Sequence, residues 1–163
     1  MSAAAPGVID SLSGWQTALR WGFAQATLQG ARRILVCDEH LGDWPLDEPP
    51  LLDTLTAWAR LPQRRLVLLV RRWDEVPRRH PRFTTWRRDW DHALEAWTPA
   101  DEAPRELPTV LTSDTGVCVQ LADRLRWRGQ AAVDARRARL CIESIDAVLQ
   151  RSERAFAVKT LGL

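Results

Sequence analysis

Two short apolar runs constrain this chain more than anything else in it: RRILVCDE, from Arg32 to Glu39, and RRLVLLVRR, from Arg64 to Arg72. Each is a few aliphatic residues bounded by charge, a length that suits a strand buried on both faces and falls short of a core helix. Between them, Asp47 and Glu48 precede Pro49 and Pro50, and Leu51, Leu55 and Trp58 follow at helical spacing. Proline in a first turn loses no needed donor, and acids there favour the helix dipole, so a helix begins here and stops at Pro62. Strand, helix and strand of this size imply a parallel pair joined by a right-handed crossover.

The flanks extend that unit. Leu12, Trp15, Leu19, Phe23 and Ala26 recur at three- and four-residue steps, predicting a helix over 11–29 that Gly30 terminates, with Trp21 and Leu28 on its opposite face. Phe83, Trp86, Trp90, Leu94 and Trp97 line one side of another helix when projected at about 100° per residue, which leaves His92 solvated on the far side. PTVLTSD and GVCVQLAD are β-prone runs around a turn at Asp114 to Gly116, and RLRWRG continues the meander as a third limb. From Asp134, the spacing of Ala138, Cys141, Ile145, Val148, Leu149 and Phe156 predicts a long final helix, followed by the apolar tail AFAVKTLGL over 155–163. There is no repeat and no linker. The expected fold class is α/β: a single domain over 1–163 with a mixed β-sheet flanked by helices.

A chain of 163 residues buries roughly two-thirds of its unfolded surface in one core and needs no staple. Its cysteines, Cys37, Cys118 and Cys141, are odd in number and set in apolar runs, which predicts buried thiols in a reducing compartment, hence a cytoplasmic protein. No basic start leads into an apolar run, and LVLLV is too short to cross a bilayer, so no membrane partner is expected. The net charge of +2 conceals a gradient: residues 1–60 hold four arginines against seven acids, and residues 61–100 hold nine against five. Arginine outnumbers lysine 22 to 1. Guanidinium forks suit phosphate, although GC-rich coding produces the same bias. The nine tryptophans are expected mostly as core filling.

Open α/β sheets bind ligands beyond the carboxyl ends of their strands. Those ends gather Asp38, Glu39 and His40 from the first strand, Arg71, Arg72 and Asp74 from the second, and Asp114 from the third. A pocket of both charge signs follows. Asp38, His40 and Asp43 could ligate a divalent metal, but no second histidine cluster supports them, so neither metal nor cofactor is assigned. RRHPRF places Arg78, Arg79, His80 and Arg82 at a helix entrance, where a phosphate could meet free backbone donors and guanidinium forks. The competing reading is a solvated basic loop in which His80 caps or packs. Ser113 and Ser144 lack a nucleophile motif, and no glycine-rich phosphate loop is present.

The order of elements, and the segment GVCVQLADRLRWRG, resembles one half of a phospholipase D-type domain. That family carries His-x-Lys-x4-Asp on such a strand, followed by a glycine. By spacing, Asp123 matches the aspartate and Gly129 the glycine, while Gly116 replaces the histidine nucleophile and Cys118 the phosphate-binding lysine. The resemblance therefore implies a degenerate half domain without the family's catalysis, and a two-fold dimer as its natural form. The phrases DWPL, RRHPRF, DRxxWRG and QRSExAF also resemble a group of β-proteobacterial proteins, a resemblance that brings no activity with it.

Three readings follow. The first is a non-catalytic binding or regulatory module for an anionic ligand, a phosphate-bearing metabolite or nucleic-acid backbone, near Arg72, Arg78, Arg79 and Arg82. The second is a homodimeric interaction protein using Trp21, Leu28, Trp127 and the apolar tail. The third is a phosphodiester hydrolase using His80 or the Asp38/His40/Asp43 loop.

Overall fold

The structure is a computed structural model that describes residues 3–100 and 105–155. One sheet of eight strands runs through it in the order β1-β7-β6-β5-β2-β3-β4-β8. The strands are β1 (Gly7–Ile9), β2 (Arg33–Asp38), β3 (Arg65–Val70), β4 (Leu94–Pro99), β5 (Thr109–Ser113), β6 (Val117–Asp123), β7 (Arg128–Val133) and β8 (Ser152–Arg154). The helices are α1 (Leu12–Leu28), α2 (Pro49–Ala59), α3 (Val76–Arg79), α4 (Pro81–Asp89) and α5 (Ala135–Leu149). The two apolar runs are neighbours, with Ile34 beside Leu66 and Asp38 beside Val70 in parallel register. β4 adds in parallel to β3, and β5 in antiparallel to β2. This is the expected α/β fold with a mixed sheet.

Strand periodicity divides the core in two. Ile34 and Val36 face α1, α2 and α4, where they pack with Trp15, Leu19, Phe23, Leu55 and Phe83. Leu35 and Cys37 face the other way, toward Ala138 and Ile145 of α5. Among the described residues, α1, α2 and α4, with Val76 of α3, thus cover one face and α5 the other. The Ser11 hydroxyl caps α1 by accepting from Gly14 N at 3.0 Å, and the Asp134 carboxylate caps α5 by accepting from Arg137 N at 3.1 Å.

Four expectations are corrected. The helix read through Trp97 ends at Asp89, and after a short 3-10 turn (Asp91–Ala93) the chain enters β4. The two periods happen to coincide at Trp90, Leu94 and Trp97, but the alternation of buried Leu94 and Ala96 with half-buried Glu95 and Trp97 is that of a strand. His92 is exposed as expected, within that turn. Asp114 lies at the amino edge of β2, because β5 runs against it; its carboxylate accepts from Arg32 N at 3.1 Å. RLRWRG forms a turn before β7, which takes up only its last two residues. The final helix stops at Leu149. Phe156 and nearly all of the apolar tail lie outside the described residues.

The edge strands β1 and β8 span three residues each, too few to show a period. Among the described residues no helix is long and apolar enough to cross a membrane.

Candidate functional site

The carboxyl edge of β2 and β3 is where the chemistry collects. Asp38, the last residue of β2, is 4% exposed. Its Oδ2 accepts from Trp44 Nε1 at 2.8 Å, and its Oδ1 from Thr109 Oγ1 at 3.1 Å and from Glu39 N at 2.7 Å. Arg124 closes the group, ion-paired to Asp38 and donating from Nε to Thr109 Oγ1 at 2.9 Å. Burial pulls the Arg124 guanidinium below its ordinary pKa and lifts the neighbouring Cys37 thiol to about 12. Next in sequence, Glu39 accepts from Arg71 Nε at 2.8 Å and from Leu107 N at 2.8 Å. Both acids are therefore engaged in tying β2 to β3, β5 and the turn after β6.

The metal reading finds no geometry here. His40 Nδ1 accepts from Gly42 N at 3.1 Å, and Asp43 meets Gln16 through its backbone carbonyl. Asp38 points into the core network. Among the described residues no three His, Cys, Asp or Glu side chains gather as a metal would require.

Outside the buried acids lies an open cleft of about 360 Å³ lined by His40, Arg72, Asp74, Glu75 and Arg79. It carries both charge signs, as the sequence implies. Glu75 is shared between Arg78 at 2.6 Å and Arg79 at 3.5 Å. Arg72 is anchored through its backbone, N to Glu39 O at 2.9 Å. Among the described residues its guanidinium meets no carboxylate or other acceptor. The cleft therefore presents one uncompensated cation and one partly compensated cation beside a free carboxylate, Asp74.

His80 does not face this cleft. It is 4% exposed, and its Nε2–H donates to Leu41 O at 2.7 Å, leaving Nδ1 buried with no partner among the described residues. It pegs the loop after β2 to the junction of α3 and α4. Replacing His80 with alanine is expected to destabilise the fold by about 2 kcal/mol, through a lost hydrogen bond and the carbonyl orphaned with it. A lowered urea midpoint checks this; an unchanged midpoint would mean the peg carries nothing.

The helix entrance is occupied from within. The Asp47 carboxylate accepts from Arg82 N at 2.6 Å and Phe83 N at 3.4 Å, the donors a phosphate would have met at the start of α4. The Arg82 guanidinium lies 3.6 Å from the same carboxylate. Asp47 thus caps α4, not α2, whose N-cap is Glu48.

Asp123 holds the turn between β6 and β7, accepting from Leu125 N at 3.0 Å and Arg126 N at 3.2 Å. These bonds keep its carboxyl below the usual range, the Arg126 backbone contributing most. Gly116, at φ 97°, turns the hairpin into β6, and Cys118 faces α5. Of the interface candidates, Trp21 is buried, with Nε1 donating to Ala3 O at 3.1 Å. Trp127 packs partly against the core, and Leu28 is 56% exposed.

The structure thus brings His40, Arg72 and Arg79 together and leaves Arg78 at the rim. Arg71, Asp38, His80 and Arg82 are engaged internally. Sequence reasoning missed Thr109, Trp44 and Arg124, which complete the acid network. Only the DRLRWRG phrase drew attention to Arg124, and there for its aspartate.

No family model matches the chain and no curated protein sequence does, so the β-proteobacterial resemblance rests on its four phrases alone. Solved structures do resemble it. TrmBL2, an archaeal chromatin protein described as binding DNA, superposes with a TM-score of 0.62 at 15% identity, over 91% of this chain. The chain spans 53% of that protein. Nuc from Salmonella typhimurium, a phospholipase D family member, superposes with a TM-score of 0.52 at 8% identity, covering 82% of this chain and 88% of its own. At these identities the likeness is one of fold: the chain has a phospholipase D-like α/β architecture.

Proposed function

We propose that this protein is a binding or regulatory module that holds a phosphate-bearing ligand in the cleft at the carboxyl edge of β2 and β3. The observation that carries this reading is Arg72, a guanidinium that meets no acceptor among the described residues and lies beside Arg79 and His40. A planar fork of donors suits phosphate oxygens, and the cleft lies where open α/β sheets bind their ligands. Asp74 adds an acceptor in the same cleft. A ligand that carries hydroxyl or amino groups beside its phosphate, as a nucleotide does, meets both signs better than a bare anion. The DNA-binding neighbour of similar fold supports the same direction.

Purified protein titrated into fluorescently labelled single-stranded DNA and RNA tests this by anisotropy. Saturable binding that weakens with salt is expected, with a log–log slope near −0.7 per phosphate contacted. Binding that ignores salt would remove the nucleic-acid form. Competition by a mononucleotide then distinguishes a single-phosphate pocket from a backbone track.

The hydrolase reading draws no support from the loop after β2, where the Asp38 carboxylate is held in the buried network and His40 Nδ1 accepts from Gly42 N. A protein-interaction reading is favoured by the groove of about 460 Å³ between α1 and α2, rimmed by Leu28 and Leu61. Leu28→Glu tests it better than a change at buried Trp21, which would disturb the core. If the groove seats a second copy, the substitution shifts sedimentation to the monomer; an unchanged profile retires that face.

A further inference from the structure

We infer that Cys118 and Cys141 form a reversible dithiol–disulfide couple, oxidised by a small-molecule disulfide that enters the cleft beside α5. Cys118 lies on β6, 2% exposed, and its Sγ is 3.8 Å from Sγ of half-buried Cys141 on α5. Closing that gap to the roughly 2.05 Å of a disulfide requires the two sulfurs to approach by roughly 1.8 Å. Cys141 is the accessible partner. It lines a cleft of about 410 Å³ with Pro108, Val110, Gln120, Arg137, Leu140 and Ser144. That cleft lies on the α5 face of the sheet and shares no lining residue with the carboxyl-edge cleft.

The chemical division between the two thiols follows from this packing. Cys118 and Cys141 share a hydrogen bond, which with the nearby Arg137 holds the Cys141 thiol below its ordinary range. Cys118 is shifted upward by the same hydrogen bond and by burial. A thiolate is the nucleophile in exchange, and of the two it is Cys141 that lines the cleft while Cys118 is buried, so Cys141 attacks and Cys118 resolves. In the first step Cys141 S⁻ bonds to one sulfur of R–S–S–R, the S–S bond breaks, and RS⁻ leaves. In the second, Cys118 gives its proton to that thiolate and attacks Cys141 Sγ, displacing the second RS⁻, which takes a proton from solvent. The protein loses two electrons, and the disulfide is reduced to two RSH. The third cysteine, Cys37, is buried on β2 and its thiol is raised by burial, so it stays out of the exchange.

The test equilibrates the full chain with oxidised and reduced glutathione over a range of ratios, under native conditions, followed by acid quench, alkylation and peptide mass mapping. The expected product is a Cys118–Cys141 cross-linked peptide with the loss of two hydrogens, reversed by reduced glutathione, with Cys37 alkylated throughout. Cys118→Ser should instead accumulate a glutathione adduct on Cys141, because nothing resolves it. If the wild-type protein keeps both thiols alkylatable at every ratio, or carries a stable adduct without the cross-link, the proposal is overturned whatever the variant does.

Discussion

Asp38→Ala is expected to cost the fold about 2–3 kcal/mol, because the carboxylate is buried and hydrogen-bonded while the half-buried Arg124 keeps some access to water. The loss does not come from the missing carboxylate alone. Its removal leaves Arg124 with a guanidinium that burial already disfavours, and orphans Trp44 Nε1 and the Thr109 hydroxyl. A domain of this size has about 5–15 kcal/mol of stability, so the loss is a large fraction of the whole. Urea denaturation should show a much lower midpoint at an unchanged m-value. Asp38→Ala combined with Arg124→Leu should be less destabilised than Asp38→Ala alone, since the uncompensated charge goes with its partner. Additive losses would mean that the two residues do not form one unit.

Gly129→Val carries the other large effect. A Cβ at Gly129 would stand 2.0 Å from the Gln120 carbonyl oxygen and 2.9 Å from Leu121 Cα, both backbone atoms of the neighbouring strand. The site lies beside the register shift between Leu121 and Asp123, with Gly129 paired to Leu121. Backbone cannot swing aside as a side chain can, so the hairpin must part. About 3 kcal/mol or more is expected, the upper range for overpacking. Gly30→Ala provides the contrast: its φ of 69° disfavours a side chain, but nothing stands within 4 Å, so the cost should stay near 1–2 kcal/mol. Equal losses at the two positions would refute the steric account of Gly129.

Much of the architecture was legible because its signals were local. The runs ending at Asp38 and Val70 read as buried strands, and they pair as parallel neighbours. Helix α1 was readable to within a residue at each end, since its stripe from Leu12 to Ala26 is regular and Ser11 caps it. The segment after Trp90 was misread because large side chains at Trp90, Leu94 and Trp97 satisfy both periods, and only pairing with Leu66 and Leu69 makes Leu94 to Trp97 a strand. The candidate site was half legible. The rule that ligands bind beyond strand ends led to His40, Arg72 and Asp74, but which charges stay free depends on partners distant in sequence. Asp47 fills the start of α4 from 35 residues away, and Arg124 reaches Asp38 from the turn after β6. Neither engagement has a local sequence signature.

The same distinction between free and engaged arginines can be measured. Arg72 and Arg139 are both exposed, one beyond the carboxyl end of β3 and the other on α5, and reversing either changes the net charge equally. The most direct measurement is therefore the affinity of Arg72→Glu and Arg139→Glu for the same labelled single-stranded oligonucleotide, beside wild type, at two salt concentrations. Arg72→Glu should weaken binding at least tenfold, a loss of about 1.4 kcal/mol, and flatten the salt slope by about one contact. Arg139→Glu should leave both close to wild type. Equal losses in the two variants would reduce the effect to net charge, and wild-type affinity in Arg72→Glu would place the ligand outside the carboxyl-edge cleft.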